Sequence, residues 1–351
     1  MKVFIINPGA TSTKLAVYDE ETEVAKKTIH HDAADLAHFE KVPDQKEYRE
    51  KMVLDAMKEM GFEPSDFDAV CSRGGLFKHI PSGTYAVNDQ VIETVMDPPY
   101  GEHASNLGVL LAKDIADSAG IPAYFVDPVS VDELQDVARV SGFKGWERQS
   151  FFHALNQKGM ARKAAEKLGK AYEDCNLIVC HLGGGVSTAA HCRGRVIDMF
   201  NVKDDGAFST DRGGALPVNA VINYCFEVGD KKKVKKVLGS ESGIYSYLGT
   251  KDFIDVEKRA LSGTDPEAAL VFDAFIYQQV KDIGAMAVVL KMDVDAIVLT
   301  GGMANSKVLC ERMSSYIDKI APVMVLPGEV EMESLAKGAL RVLHGGKLME
   351  Y

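Results

Sequence analysis

The sequence predicts an α/β protein built from two similar halves. Three observations carry this. Short runs rich in Val, Ile and Leu alternate with longer amphipathic stretches, the pattern of strands followed by helices and of a mostly parallel sheet. The pattern G-x-x-S-T occurs twice, as Gly9-Ala10-Thr11-Ser12-Thr13 and as Gly184-Gly185-Val186-Ser187-Thr188, each time between two short strands and almost half the chain apart. Finally, 351 residues with 46% apolar and 26% charged side chains are enough for about two or three domains with cores of their own. The matching strand–turn–strand contexts make duplication plausible, with the two halves facing each other across a central cleft.

Taken in order, Val3–Ile6 and Lys14–Tyr18 read as strands around the first turn. Residues 47–60 form a helix whose apolar face is Tyr48, Met52, Val53, Ala56 and Met60, at three- and four-residue spacing. Short strands at 69–72 and 123–127 flank a helix at 103–119 that runs through Leu107, Leu110, Leu111 and Ile115. The second half begins with a helix at 152–168. A strand at 176–181, the second Gly turn and strands at 186–192 and 195–199 follow. Residues 264–290 read as one long helix with Pro266 in its first turn. Strands at 295–300 and 323–326 and a helix at 332–343 close the chain. The domains expected are 1–150, joined by the terminal helix 332–351, and 151–331.

Composition narrows the function. The net charge of -11 argues against nucleic acid or an anionic membrane as partner, because both need clustered Lys and Arg. No apolar run reaches the length of a secretory core or a bilayer span. Six scattered cysteines without a CxxC pair fit a reducing cytoplasm better than a disulfide framework. Cys180-His181 and His191-Cys192 allow a metal reading, but neighbouring residues on a strand point to opposite faces.

Several segments carry chemistry. In Asn7-Pro8-Gly9-Ala10-Thr11-Ser12-Thr13-Lys14 the glycine lets backbone approach an anion, while Asn7, Ser12 and Lys14 add donors and charge; an ordinary hairpin turn is equally rich in such residues. His181-Leu182-Gly183-Gly184-Gly185 costs backbone entropy that a ligand contact would justify. His181, at the mouth of that turn, could donate to a phosphoryl oxygen; a structural histidine is the alternative. Arg73 and Arg212 each precede two glycines, and guanidinium groups neutralise charge on a transferring phosphoryl group, although a surface ion pair is the commoner fate. Asp127 stands at a strand end, where ligands of open α/β sheets bind; it orients a nucleophile, holds Mg²⁺ through water, or caps a turn. His103 opens its helix and is similarly ambiguous. Gly301-Gly302 joins a strand to a helix start and suits close approach of a nucleotide. Glu329, Glu331 and Glu333 alternate before the last helix, as metal ligands or as N-terminal helix charges.

Together these segments resemble the acetate and butyrate kinase family, within the larger superfamily of acetate and sugar kinases, heat-shock chaperones and actin. The resemblance runs nearly end to end through INPGATSTK (6–14), SRGG (72–75), EHASNLG (102–108), VDPVSVDEL (126–134), CHLGGGVST (180–188), STDRGGALP (209–217), LTGGMANS (299–306) and PGEVEMESLAKGAL (327–340). It favours the butyrate branch. The first turn reads Pro-Gly-Ala-Thr where acetate kinases favour serines, and the second reads Gly-Gly-Gly where they usually carry a central Asn.

The resemblance implies two duplicated actin-like, ribonuclease H-like domains and a homodimer or larger homo-oligomer. It implies reversible, ATP- and Mg²⁺-dependent phosphorylation of butyrate or a similar short or branched carboxylate to the acyl phosphate and ADP. Asn7, Ser12 and Lys14 would hold phosphoryl groups, with Asn7 also in the metal region. Arg73 and Arg212 would clamp phosphoryl and carboxylate, and His181 would stabilise the transition state. Asp127 would position substrate or metal, Glu331 would approach Mg²⁺, and His103 would meet the substrate. Gly183, Gly184 and Gly185 would cradle phosphate, and Gly301 and Gly302 would line the adenosine pocket. A carboxylate, with a pKa of about 4, needs no strong base; the difficulty is bringing two anions together. A sugar kinase and an ATP-binding chaperone or filament-forming protein of the same superfamily are the alternatives.

Overall fold

A computed structural model describes residues 1–201 and 203–351. The chain divides into two compact units, Met1–Asp132 with Val330–Tyr351, and Glu133–Glu329. Each unit carries one mixed sheet over its own apolar core.

In the first unit, β1 (Lys2–Pro8), β2 (Ser12–Asp19), β3 (Thr22–His30), β4 (Ala69–Arg73), β5 (Thr84–Ala86) and β6 (Ala123–Val126) pair in the order β3-β2-β1-β4-β6-β5. β1 is antiparallel to β2 and parallel to β4, and β4 is parallel to β6. In the second unit, β7 (Asn176–Leu182), β8 (Val186–Cys192), β9 (Arg195–Asn201), β10 (Ala296–Gly301) and β11 (Val323–Pro327) pair in the order β11-β10-β7-β8-β9. β7 is antiparallel to β8 and parallel to β10, and β10 is parallel to β11. The two sheets therefore repeat one plan, a three-stranded meander extended by two parallel strands; β5 is an addition to the first. This is the two-domain, actin-like α/β fold.

The expected mostly parallel sheet is corrected to a mixed one. Both G-x-x-S-T segments are tight turns between adjacent antiparallel strands, and so each fixes a hairpin where a crossover helix would have kept the strands parallel. β3 was not anticipated, because it buries only Ile29 and otherwise shows Lys and Glu to solvent, leaving little alternation to read. The strand expected at 123–127 stops at Val126, since Asp127 turns to a φ of 40°. Residues 218–261 hold helices that the sequence reading left unassigned, including Val218–Val228, Lys231–Ser240 and Phe253–Leu261.

Helices cover the sheets where periodicity supplies an apolar face. Lys46–Glu59 sets Val53, Ala56 and Met57 into the first core beside Phe4, Ile6, Leu15 and Val70. Pro266–Val289 sets Phe272, Phe275, Ile276 and Ile283 into the second, against Ile178, Cys180 and Leu299. Each buried Val, Leu, Ile, Phe or Met among them contributes about 1.5–3 kcal/mol. The six cysteines are free thiols. Among the described residues no helix is long and apolar enough to cross a membrane.

Candidate active site

In the first unit, the carboxyl ends of three adjacent parallel strands present functional side chains. Register places Ile6 beside Ser72 and Arg73 beside Val126, so Asn7, Arg73 and Asp127 stand at neighbouring strand ends. Asn7 is buried and donates from Nδ2 to Glu331 Oε2 at 2.8 Å. Arg73 Nη1 lies 3.0 Å from Glu331 Oε1 and 3.2 Å from Oε2. Glu331 opens the Glu331–Leu343 helix. Of the three alternating glutamates it alone is buried and joined to Asn7 and Arg73; Glu329 is exposed, and Glu333 pairs with Lys337 at 3.0 Å.

Lys14 is opposite Asn7 in the β1–β2 ladder, and Ser12 lies two residues earlier. Asn7, Ser12 and Lys14 therefore share one face at the hairpin end. Thr13 points to the other face, where its Oγ1 sits 2.8 Å from His31 Nε2. Asp127 is buried, and its Oδ1 accepts from Ser82 Oγ at 2.6 Å and Gly83 N–H at 2.9 Å. Its left-handed backbone, sparsely populated for a non-glycine residue, is held by these bonds. His103 Nδ1 accepts from Ser105 N–H at 3.2 Å, which leaves the ring proton on Nε2.

The second unit assembles a cradle around its Gly turn. His181 does not stand at an open mouth; it is buried in β7, 3% exposed. Its ring stacks on His153, with centroids 3.9 Å apart and planes at 13°. The Asn156 amide nitrogen lies 2.9 Å from His181 Nδ1; it can only donate, so the His181 proton is on Nε2. Ser187 Oγ accepts from Gln157 Nε2 at 2.8 Å and from His153 N–H at 3.4 Å, so its own proton goes to His153 Nδ1 at 2.8 Å. His153 therefore also carries its proton on Nε2. Gln157 Oε1 in turn accepts from His191 Nε2 at 3.1 Å, and the Tyr172 hydroxyl donates to His191 Nδ1 at 2.8 Å. Burial, reinforced by Lys158 and Arg162, pushes the His191 pKa well down, so this histidine stays neutral and orders its neighbours. These bonds account for His191 without a metal.

Both Nε2–H groups lie close to the turn. A Cβ on Gly183 would stand 3.0 Å from His181 Nε2; one on Gly185 would stand 3.4 Å from His153 Nε2 and 3.5 Å from Arg212 Nη1. A side chain at Gly183 would crowd the His181 ring, and one at Gly185 would sit in contact with His153 and Arg212, so glycine keeps these donors uncovered. Thr210 Oγ1 ties the Ser209–Gly214 loop to Gly184 O at 3.4 Å. Arg212 keeps 39% of its side chain exposed and pairs with Asp211 only through Nε, at 3.9 Å, so its Nη groups remain accessible to a ligand.

Beside the turn lies a cavity of about 600 Å³ lined by Gly183, Gly184, Thr210, Lys251, Asp252, Phe253, Ile254, Glu257, Gly302, Met303, Asn305 and Ser306. Its size suits a nucleotide. Ser306 caps the Lys307–Ile317 helix by accepting from Leu309 N–H and donates to Glu257. Gly302 lines the cavity; Gly301 does not. Gly301 has a φ of 89°, and a Cβ there would meet Leu182 O at 2.4 Å, so backbone packing alone already requires glycine at this position.

A sequence profile of the acetokinase family matches residues 145–323. The chain belongs to the acetokinase family. Enzymes of this family are carboxylate kinases, phosphotransferases that use ATP or ADP with Mg²⁺. Among solved structures, the acetate kinase of Porphyromonas gingivalis is 18% identical with a TM-score of 0.81, covering 97% of this chain and 99% of that one. A propionate kinase from Francisella tularensis subsp. tularensis SCHU S4 is 16% identical with a TM-score of 0.76, at 96% and 98% coverage. The acetate kinase of Entamoeba histolytica is 18% identical with a TM-score of 0.73, at 97% and 99%. These likenesses establish the acetokinase fold across nearly the whole chain.

Two residues in these clusters carry little signal in the sequence. His153 was read as part of a helix; the only clue was a histidine just ahead of the small and polar run Ala154-Leu155-Asn156-Gln157. Arg49 was overlooked, although position 49 precedes Met52 and Val53 by three and four residues and so falls on the buried stripe.

Proposed function

We propose that the protein is the butyrate-type member of this family, transferring the γ-phosphoryl group of ATP to butyrate or a similar short or branched carboxylate, and catalysing the reverse reaction, in the cytoplasm. The observation that carries the reading is the set of hydrogen-bond donors brought together at the Gly183–Gly185 turn. Two imidazole Nε2–H groups and the Arg212 guanidinium surround bare backbone, while the carboxylates nearby are engaged: Asp211 with Arg212 at 3.9 Å and Lys251 at 3.5 Å, Asp252 with Ile254 N–H, and Glu257 with Ser306. Asp127, the acid placed at a strand end, has Oδ1 engaged by Ser82 and Gly83. Such a site suits an acceptor that is already a nucleophile. A sugar hydroxyl would need a base.

In this reading His153 and His181 donate to the oxygens of the migrating phosphoryl group, and Arg212 offsets its charge. Arg73 binds the acceptor carboxylate or the phosphoryl group, with His103 on the substrate and Asp127 as a positioning residue. Ser12 and Lys14 hold phosphate. The C-terminal domain binds the nucleotide, with adenosine in the cavity beside Gly302. The butyrate branch is supported by Ala10-Thr11 in the first turn and by Gly184, where acetate kinases favour a serine-rich turn and Asn.

Asn7 and Glu331 suit Mg²⁺. Among the described residues no three His, Cys, Asp or Glu side chains form a metal cage; one carboxylate plus phosphate oxygens and water is the usual magnesium arrangement. Glu331 supplies the carboxylate and Asn7 an amide oxygen. When bound, Mg²⁺ neutralises phosphate charge. A homodimer or larger assembly belongs to the same proposal and is read by sedimentation velocity.

The test is an acid panel reporting kcat/KM for acetate, propionate, butyrate, isobutyrate and valerate. Each methylene is worth about 1–3 kcal/mol in an apolar pocket, so a maximum at four carbons with activity on neighbours is expected. A maximum at acetate would reject the butyrate assignment.

A further inference from the structure

Arg49, in the first turn of the Lys46–Glu59 helix, is buried to 1% exposure. A guanidinium has five N–H groups, and all find acceptors. Nε and Nη2 donate to Gln45 Oε1 at 3.0 and 2.8 Å, and Nη2 also donates to the Ala10 carbonyl at 2.9 Å. Nη1 donates to the Gly9 carbonyl at 2.9 Å and to Thr13 Oγ1 at 3.4 Å. Every acceptor is neutral, and among the described residues no carboxylate pairs with this cation. A buried charge without a counter-ion is expensive.

The two carbonyls show what the charge does. A trans peptide points its C=O and N–H in opposite directions. With Gly9 O and Ala10 O drawn to the guanidinium, the N–H groups of Ala10 and Thr11 face away from it. Both residues are exposed, and neither N–H meets a protein acceptor among the described residues. Gly9 N–H to Ser12 O at 2.7 Å and His31 N–H to Thr11 O at 2.9 Å pin the turn on either side. His31 adds no competing charge, since burial and then Arg49 push its pKa down to about 4.

We propose that Arg49 is a positioning residue for phosphoryl binding: it locks the Gly9 and Ala10 peptides so that the Ala10 and Thr11 N–H groups form an anion nest, and it supplies positive charge behind that nest. The ligand completes the counter-charge that the protein omits. This rests on the phosphate reading of the Asn7–Lys14 turn and explains how the turn is held in a binding shape.

The test titrates the full chain, labelled with ¹⁵N at alanine and threonine, with inorganic phosphate. The Ala10 and Thr11 amide signals move saturably in the unaltered protein. In Arg49→Lys, which keeps the charge but loses the fork, phosphate binds about 10–100-fold more weakly, by analogy with the loss seen when the outer partners of metal ligands are removed. KM for ATP rises more than kcat falls, and melting drops as well, since lysine leaves part of the buried acceptor set unpaired. Should that variant not fold, Gln45→Leu removes only the acceptor behind the guanidinium, and a smaller weakening in the same direction is expected. Unmoved Ala10 and Thr11 signals, or a folded variant that binds phosphate as tightly as before, would overturn the proposal. The titration contains no carboxylate, so a protein that binds phosphate here yet phosphorylates no acid would sink the kinase reading and leave this one standing.

Discussion

Asn7 and Glu331, 324 positions apart, meet through a 2.8 Å hydrogen bond from Asn7 Nδ2 to Glu331 Oε2. The bond joins the end of β1 to the first turn of the last helix, and Arg73 closes the group from β4. Glu331→Gln keeps the shape and removes the charge. Under the proposed metal role it lowers kcat by about 100-fold or more and raises the Mg²⁺ concentration needed for half-maximal rate. A magnesium titration of the variant checks this; an unchanged midpoint would remove Glu331 from the metal region.

In the proposed reaction the stacked His153 and His181 work as one unit, so their losses are expected not to add. Each single change to Ala lowers kcat by about 10²–10³, and the double change costs little more than the worse single. Gln157→Leu breaks the hydrogen-bond chain that sets the His153 tautomer, and it lowers kcat less while the binding of ATP is retained. Steady-state kinetics of the four variants decide the point. Full multiplicativity of the two histidine losses would show that they work independently.

Gly301 and Gly302 separate packing from binding. At Gly301 a Cβ meets Leu182 O at 2.4 Å with φ at 89°, and such strain costs about 1–3 kcal/mol before the clash is counted. Gly301→Ala therefore lowers the melting temperature. A Cβ on Gly302 meets nothing within 4 Å of it but projects from the cavity lining, so Gly302→Ala leaves melting nearly unchanged and raises KM for ATP. Thermal melts and ATP kinetics of the pair test both halves of this.

Asp282 gives a pH signature. Burial raises its pKa from 3.8 to about 7, against the Ala207 N–H it accepts at 2.8 Å, with Asp205 adding repulsion. The folded state therefore holds a proton that the unfolded chain releases from pH 3.8 upward. This group's contribution to stability is fully present below that pH and is lost as pH rises toward 7, with a limiting slope of about 1.4 kcal/mol per pH unit. Asp282 is only partly buried, so the observed slope is smaller. Asp282→Asn flattens this dependence and stabilises the protein at pH 8 relative to pH 5. Urea unfolding at the two pH values measures it.

Much of the architecture was legible because periodicity and turn chemistry agree with the fold. The Gly9–Thr13 and Gly184–Thr188 repeats marked both hairpins, and residues such as Leu107, Leu110 and Ile115 marked a core face. What escaped depends on contacts between distant segments. Arg49 looks like any helical arginine until the Gly9 and Ala10 carbonyls are brought to it. His153 gains its meaning from Ser187 and His181, more than 25 positions away. The difference between Gly301 and Gly302 is one of backbone conformation, which two identical letters do not express. β3 hid because an edge strand with exposed lysines lacks the apolar alternation on which strand reading relies.

The most direct measurement of the central claim is a single-turnover incubation of the protein with γ-labelled ATP, Mg²⁺ and butyrate, quenched into hydroxylamine. Butyryl hydroxamate is expected in equal amount to the ADP formed, with the label recovered as orthophosphate and neither product appearing without acid. ADP formation at the same rate with or without butyrate or any other short acid, and no hydroxamate, would contradict it.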